Sequence, residues 1–310
     1  MLSRIAESLY WIGRYTERAE DTARLLDVHY HHLLEDRWAD EASACAGLLR
    51  AMGDDPDALI AATNADGVAE FLSFDPRNPA SITSSLTAAW ENARGAREAI
   101  SSEMWESLNT THHQLANQAR LVAGRTPHDF FRWVKERAAM LAGLADSTLS
   151  RDEGWSFLVL GRNLERVDMT ARLLSARYTE TWGPTVWATT LRCCSAYEAY
   201  LRTYRHGVDA SSALEFLLLD RLFPRSVLHA LTAAQRALGE LDPRAGRTGL
   251  DDDARRIVGR CHAELSFLRV SDAAADLPEL LESLQAATGD VHDSVTNRYF
   301  LDSRAIKWTA

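Results

Sequence analysis

The stretch Gly13-Arg14-Tyr15-Thr16-Glu17-Arg18-Ala19-Glu20-Asp21-Thr22-Ala23-Arg24-Leu25-Leu26-Asp27-Val28-His29-Tyr30 returns as Gly161-Arg162-Asn163-Leu164-Glu165-Arg166-Val167-Asp168-Met169-Thr170-Ala171-Arg172-Leu173-Leu174-Ser175-Ala176-Arg177-Tyr178. Ten of the eighteen positions are identical: Gly, Arg, Glu, Arg, Thr, Ala, Arg, Leu, Leu and Tyr. A second block repeats as well. Glu70-Phe71-Leu72, Asp75, Pro79 and Ser81 are answered by Glu215-Phe216-Leu217, Asp220, Pro224 and Ser226, and Leu86-Thr87-Ala88-Ala89 by Leu231-Thr232-Ala233-Ala234. The offsets, 148 and 145, agree closely enough to imply duplication of a whole unit. Leu2-Ser3-Arg4 matches Leu149-Ser150-Arg151 and sets the boundary. The expectation is a first helical repeat over 1–148 and a second over 149–310, packed as one bundle about a pseudo-two-fold axis with their first helices at the shared centre.

Both copies read as helix. Put at 100° per residue, Ile5, Leu9, Ile12, Ala19, Ala23 and Leu26 form one apolar face of the first copy. Prolines stand only at 56, 76, 79, 127, 184, 224, 243 and 278, and the stretches between are rich in Ala, Leu, Arg and Glu. No segment alternates at period two for long enough to suggest a sheet. The fold class is therefore all-α, a helical bundle, with loops at 53–56, 75–79, 124–127, 183–184 and 242–253.

Composition narrows the function classes. With 46% hydrophobic and 25% charged residues over 310 positions, the chain can build a substantial core. A formal net charge of −10 lacks the basic footprint of a nucleic-acid binder. The charged opening and the short uncharged run at 181–191 argue against a leader peptide or a membrane span, so a cytoplasmic location is expected. Cys45, Cys193, Cys194 and Cys261 include no Cys-x-x-Cys pair, which points to reduced thiols rather than disulfides or zinc.

The first helix is also apolar on a second side, where Trp11, Arg18 and Leu25 share a line, as do Val159, Arg166 and Leu173 in the second copy. Beside them run Glu7, Arg14 and Asp21, and Trp155, Arg162 and Met169. A helix apolar on two sides is buried on two sides, and charges placed there must be paired. The spacing predicts Arg14 with Glu17 and Glu20 with Arg24, and in the second copy Arg162 with Glu165 and Asp168 with Arg172. Such a stripe is a structural ion-pair network, a cleft in which guanidinium forks hold a carboxylate or phosphate beside Glu17 or Glu165 acting as base, or a plain solvated face.

Other chemistries find no support. No histidine follows an acidic residue at the Glu-x-x-His spacing of di-metal bundles. His29, His31, His32 and the His112-His113 pair point apart on a helix, and no metal site is expected of them. Cys261-His262-x-Glu264 would likewise face apart. Glycine-rich phosphate loops and a nucleophile elbow are missing, so no cofactor is expected. Asn92-Ala93-Arg94-x-x-Arg97-Glu98 carries arginines that its counterpart near Gly239 lacks.

The sequence resembles the alpha-E domain family, an all-helical bacterial family. The likeness rests on the opening from Met1-Leu2-Ser3-Arg4 through Ala6-Glu7, Leu9-Tyr10-Trp11 and Gly13-Arg14-Tyr15 to Glu17-Arg18-Ala19-Glu20. It continues through Trp90-Glu91-Asn92-Ala93-Arg94, Glu103-x-Trp105-Glu106, Asp146-Ser147-Thr148, Arg151-Asp152-Glu153-Gly154-Trp155, Gly161-Arg162, Glu165-Arg166-x-Asp168 and Pro224-Arg225-Ser226-Val227. The resemblance covers essentially the whole chain. It implies association with a circularly permuted ATP-grasp ligase and a transglutaminase-like protein, in a system that makes or modifies peptides or related amides.

Three readings follow. The first is an accessory or co-catalytic component of an ATP-grasp amide-ligase system, which binds a carboxylate-bearing substrate or the partner enzyme through Arg4, Glu7, Arg14, Arg18, Glu20, Arg94, Arg151, Glu153, Arg162, Arg166 and Asp168. The second is a non-catalytic interaction scaffold with a structural ion-pair network. The third is a stand-alone enzyme with Glu17 and Glu165 as an acid/base pair. Neither nucleic acid nor membrane is an expected partner, and self-association stays open.

Overall fold

A computed structural model describes residues 1–35, 40–53, 64–122, 127–178, 184–243, 249–273 and 276–300. Among the described residues every regular element is a helix. The first half holds α1 (Ser3–Glu35), α2 (Glu41–Met52), α3 (Ala65–Ser73), α4 (Ile82–Gly95), α5 (Ser102–Val122) and α6 (His128–Thr148). The second holds α7 (Glu153–Tyr178), α8 (Pro184–Cys193), α9 (Tyr197–Tyr204), α10 (Ala210–Leu219), α11 (Val227–Leu241), α12 (Asp253–Phe267), α13 (Val270–Ala273) and α14 (Leu277–Val295). A π-helical turn at Thr296–Phe300 follows α14.

The repeated letters of the second block have local causes. Ser81 and Ser226 are the N-caps of α4 and α11, where their hydroxyls accept from the Ser84 and His229 amides. Asp75 and Asp220 open the preceding turns: the Asp75 carboxylate accepts from the Arg77 amide, and that of Asp220 from the Leu222 and Phe223 amides. The predicted loop at 75–79 is thus a turn between two capped helices. The predicted loop segments at 54–56, 124–126, 183 and 244–248 lie outside the described residues.

Two long helices, α1 and α7, form the centre. α1 lies against α4, α6 and α7, and α7 against α1, α11 and α14; α5 closes the first side and α12 the second. The apolar face read from the wheel is buried throughout, from Ile5 and Leu9 to Ala23 and Leu26, and Leu25 on the other side is buried too. Cys45, Cys193 and Cys194 are buried and Cys261 is half-buried, and none of the four is in a disulfide. Among the described residues no helix is long and apolar enough to cross a membrane.

Candidate functional site

The distance between α1 and α7 is set by two glycines. A Cβ on Gly13 would lie 2.3 Å from the Leu158 carbonyl oxygen, and one on Gly161 would lie 2.0 Å from that of Tyr10. A backbone oxygen cannot move aside as a side-chain tip can, so the two helices close only where neither carries a side chain. At that separation an arginine on one helix reaches a carboxylate on the other.

Glu165 accepts from Arg14 Nε at 2.7 Å, Arg18 Nε at 2.5 Å and Arg18 Nη2 at 3.0 Å. Glu17 accepts from Arg166 Nε at 2.7 Å and Nη2 at 3.0 Å, and from Arg225 Nη1 at 2.5 Å. The side chains of Glu165 and Glu17 are 1% and 4% exposed, so neither is open to a substrate. Arg225 enters from the turn before α11 and is shared further with Asp21 at 2.5 Å and Glu20 at 2.7 Å.

The predicted pairings are corrected in part. The i,i+4 pairs Glu20–Arg24 and Asp168–Arg172 form. The i,i+3 partners do not: Arg14 leaves Glu17 for Glu165, and Glu17 takes arginines from α7 and the α11 turn. The reason is solvation. A pair along one helix would face away from the partner helix, whereas a pair across it neutralises charge that packing has already removed from water.

Burial alone would raise the Glu17 carboxyl, but Arg225 and Arg166 outweigh it and hold the group at about 2. Glu165 is likewise lowered, with burial overcome by Arg14 and Arg18. Asp21 goes the other way. Burial, together with the neighbouring Glu17 and Glu20 charges, outweighs its share of Arg225 and pushes it up to about 7. Burial also raises Asp168.

The lattice is not symmetric. Arg14 sits on Glu165, but its sequence counterpart Arg162 makes no hydrogen bond or ion pair among the described residues, because Arg166 and Arg225 hold Glu17. The counterpart of Arg225 is Ala80, which leaves Glu165 to Arg14. Burial pulls the Arg162 guanidinium below its usual pKa, and the like charge of Arg166 adds to this. Arg162 lines a cleft of about 320 Å³, its open mouth included, together with Thr16, Glu17, Glu20 and the α6 side chains Leu141 and Ala145. The buried Thr16 hydroxyl has no partner there either.

The other sequence-predicted residues stand apart from this centre. Arg4 donates to the Gly95 carbonyl at 2.7 Å and is exposed. Glu7 is half-buried on α1 without an ion pair among the described residues. Arg94, named among the binding residues, is exposed, pairs with Glu91 at 2.9 Å and lies over Trp90. Arg151 pairs with Asp146 and stacks 3.6 Å from the centroid of Trp155, and Glu153 accepts from the Met1 amino group. Three participants were not among the predicted site residues, although the sequence reading quoted all three: Asp21, on the charged stripe, and Arg225 and Tyr10, whose hydroxyl accepts from Arg14 and lies 3.2 Å from His292 Nδ1.

A family model named Alpha-E, described as a predicted alpha-helical domain with a conserved ER motif, matches residues 1–300. Glu17-Arg18 and Glu165-Arg166 are Glu-Arg pairs at matched positions of this chain, and each glutamate is bound by the arginine of the other pair. Uncharacterised proteins of Mycobacterium bovis and of one strain of Mycobacterium tuberculosis are 26% identical over 321 aligned positions, and one from a second M. tuberculosis strain is 25% identical. Each alignment takes in 94% of this chain but only 36% of the relative, so the chain spans about a third of the length of the relatives it matches. No solved structure matches the chain.

Proposed function

The chain belongs to the Alpha-E family, and we propose that it is a non-catalytic helical scaffold working in an ATP-grasp amide-ligase system, with the α1–α7 lattice holding its two halves in one fixed geometry. The observation that carries this reading is the saturation of Glu17 and Glu165. An acid/base pair needs one carboxyl raised toward the working pH, and mutual repulsion of two close carboxylates would supply that. Here both are lowered by arginines and both are closed to solvent. The matched blocks falling on α1 and α7, and on α3–α4 and α10–α11, favour an internal duplication whose repeats each bring half of the lattice. The greater length of the mycobacterial relatives favours a module that operates beside other polypeptide. The ligase and transglutaminase-like partners come from the family resemblance.

A second reading rests on the unpaired Arg162 and Thr16 at one cleft. A carboxylate from a substrate or from the partner would satisfy both, a co-catalytic positioning role for the chain.

The test is co-purification of the tagged chain with an ATP-grasp ligase from its host, followed by amide formation with Glu17→Gln and Arg162→Met variants. The scaffold reading expects Glu17→Gln to lower stability and ligase binding together. It also expects an unchanged rate per bound complex in both variants. A folded Glu17→Gln protein that still binds ligase but supports no amide formation would overturn it. Loss of activity in Arg162→Met alone would favour the second reading, and failure to recover any ligase would remove the partner.

A further inference from the structure

Away from the lattice, toward the far end of α1, Asp27, His31 and His128 bring one ligand atom each to within 4.8 Å of one another. They form the only such group of three histidine, cysteine or carboxylate donors among the described residues. Asp27 and His31 are four apart on α1, hence on one face; His128 opens α6 and reaches across from it. The His128 Nδ1 atom lies 2.6 Å and the His31 Nδ1 atom 3.5 Å from Asp27 Oδ1. The two imidazoles stand edge to face at 5.0 Å between centroids, so they converge on the carboxylate without stacking over one another.

We propose that this cluster is a binding site for a divalent transition-metal ion of the zinc type. Two imidazoles and one carboxylate are the donor set that suits such an ion, and three protein ligands leave a fourth tetrahedral position open. The burial pattern agrees. Asp27 is 10% exposed and fixed, whereas His31 and His128 are 50% and 42% exposed, which gives an ion a route in from solvent. The carboxylate is also held from behind. Lys135 Nζ holds Asp27 Oδ2 at 2.6 Å, whereas the 2.8 Å contact of His31 Nδ1 with the Asp27 carbonyl oxygen is one that ligation through that nitrogen would replace. Supporting contacts of this kind orient metal ligands. Lys135 also acts as a competitor, since its ammonium already neutralises the carboxylate; a metal would bind through Oδ1 and Lys135 would weaken it. The other charged neighbours on α6, Asp129 and Arg132, are paired with each other at 2.8 Å and are exposed, so they leave the balance unchanged.

The experiment is titration of the full chain with Zn²⁺ by calorimetry, with Co²⁺ absorption reporting the coordination geometry. Wild type is expected to bind one ion with a tetrahedral cobalt spectrum. His31→Ala, His128→Ala and Asp27→Asn should each weaken binding about tenfold or more. Lys135→Met should tighten it, and a His112→Ala/His113→Ala control should not change it. The two histidines are exposed enough that their removal leaves the core intact, and helical circular dichroism checks this for each variant. Absence of binding in wild type, or unchanged binding after loss of both His31 and His128, would overturn the assignment.

Discussion

Replacing Glu165 with Gln keeps the side-chain shape and removes one buried charge. Arg14 and Arg18, with side chains 9% and 22% exposed, then share one neutral amide oxygen, while the NH2 group in place of the second carboxylate oxygen opposes their own N–H groups. With the NH2 group in the Oε2 place, Arg14 retains only its 3.2 Å bond to the Tyr10 hydroxyl. Removing one partner of a buried pair costs about 3–5 kcal/mol, because the survivor stays buried without compensation. Set against a typical total stability of about 5–15 kcal/mol, that is a large fraction. With an unfolding entropy of about 2.1 cal/mol/K per residue, a chain of 310 residues should lose about 5–8 °C in melting temperature. The decisive comparison is the triple variant Glu165→Leu/Arg14→Met/Arg18→Met. An apolar replacement of the whole cluster leaves no orphan charge and should be close to neutral. Urea unfolding followed by circular dichroism gives both values. A loss below about 1 kcal/mol for Glu165→Gln, the range of a surface pair, or a triple variant as unstable as the single, would refute the claim that desolvated charge drives the cost.

Gly161→Ala places a methyl against the Tyr10 carbonyl and should lose about 3 kcal/mol or more by over-packing, although the same change in an open helix gains about 1 kcal/mol; chemical denaturation reads the sign. Asp21, raised to about 7, binds its proton more tightly in the folded state, so its contribution to stability is lost as pH rises through the interval from 3.8 to about 7. The stability of Asp21→Asn, measured across that interval, should therefore fall less steeply than that of wild type. Glu17 has the opposite sign: its contribution is present above 4.5 and disappears as pH falls toward about 2, which acid titration of wild type and Glu17→Gln will separate. Removing Arg225 frees Glu17 for Arg162, so Arg225→Met and Arg162→Met should be non-additive by about 0.5–3 kcal/mol in a double-mutant cycle.

What the sequence made legible was whatever lies along one helix. The buried face of α1 from Ile5 to Leu26 followed from periodicity alone, as did its second buried side at Leu25. The turn at 75–79 followed from its prolines, and the pairs Glu20–Arg24 and Asp168–Arg172 from i,i+4 spacing. The partners of Glu17 and Glu165 were not legible, because a helical wheel ranks neighbours on the same helix and says nothing of a second helix at the same height. Arg225 illustrates the limit: it is 208 positions from Glu17, and no spacing rule connects them. His31 was read as divergent from His29 and His32, which holds on α1, but its neighbour His128 comes from α6. One signal was available and unused. Gly13 and Gly161 stand at matched positions inside otherwise helix-favouring letters, and a glycine at the same place in two such helices marks a close approach of backbones.

The separation of Arg225 from Glu17 also has a consequence for the chain as it is made. At about 5–20 residues per second, some 10–40 s pass between the emergence of Glu17 and that of Arg225, which are 208 positions apart. Until Arg166 emerges, 149 positions after Glu17, α1 has its own apolar face to pack on α4 and α6, but Glu17 has no arginine of α7 to meet, and Arg225 follows later still. Glu17 stays hydrated, and the surface destined for α7 stays wet. The last step of assembly is therefore a drying step, completed when the α11 turn joins α7, and a nascent chain halted before the α11 turn should keep Glu17 and Asp21 within reach of water.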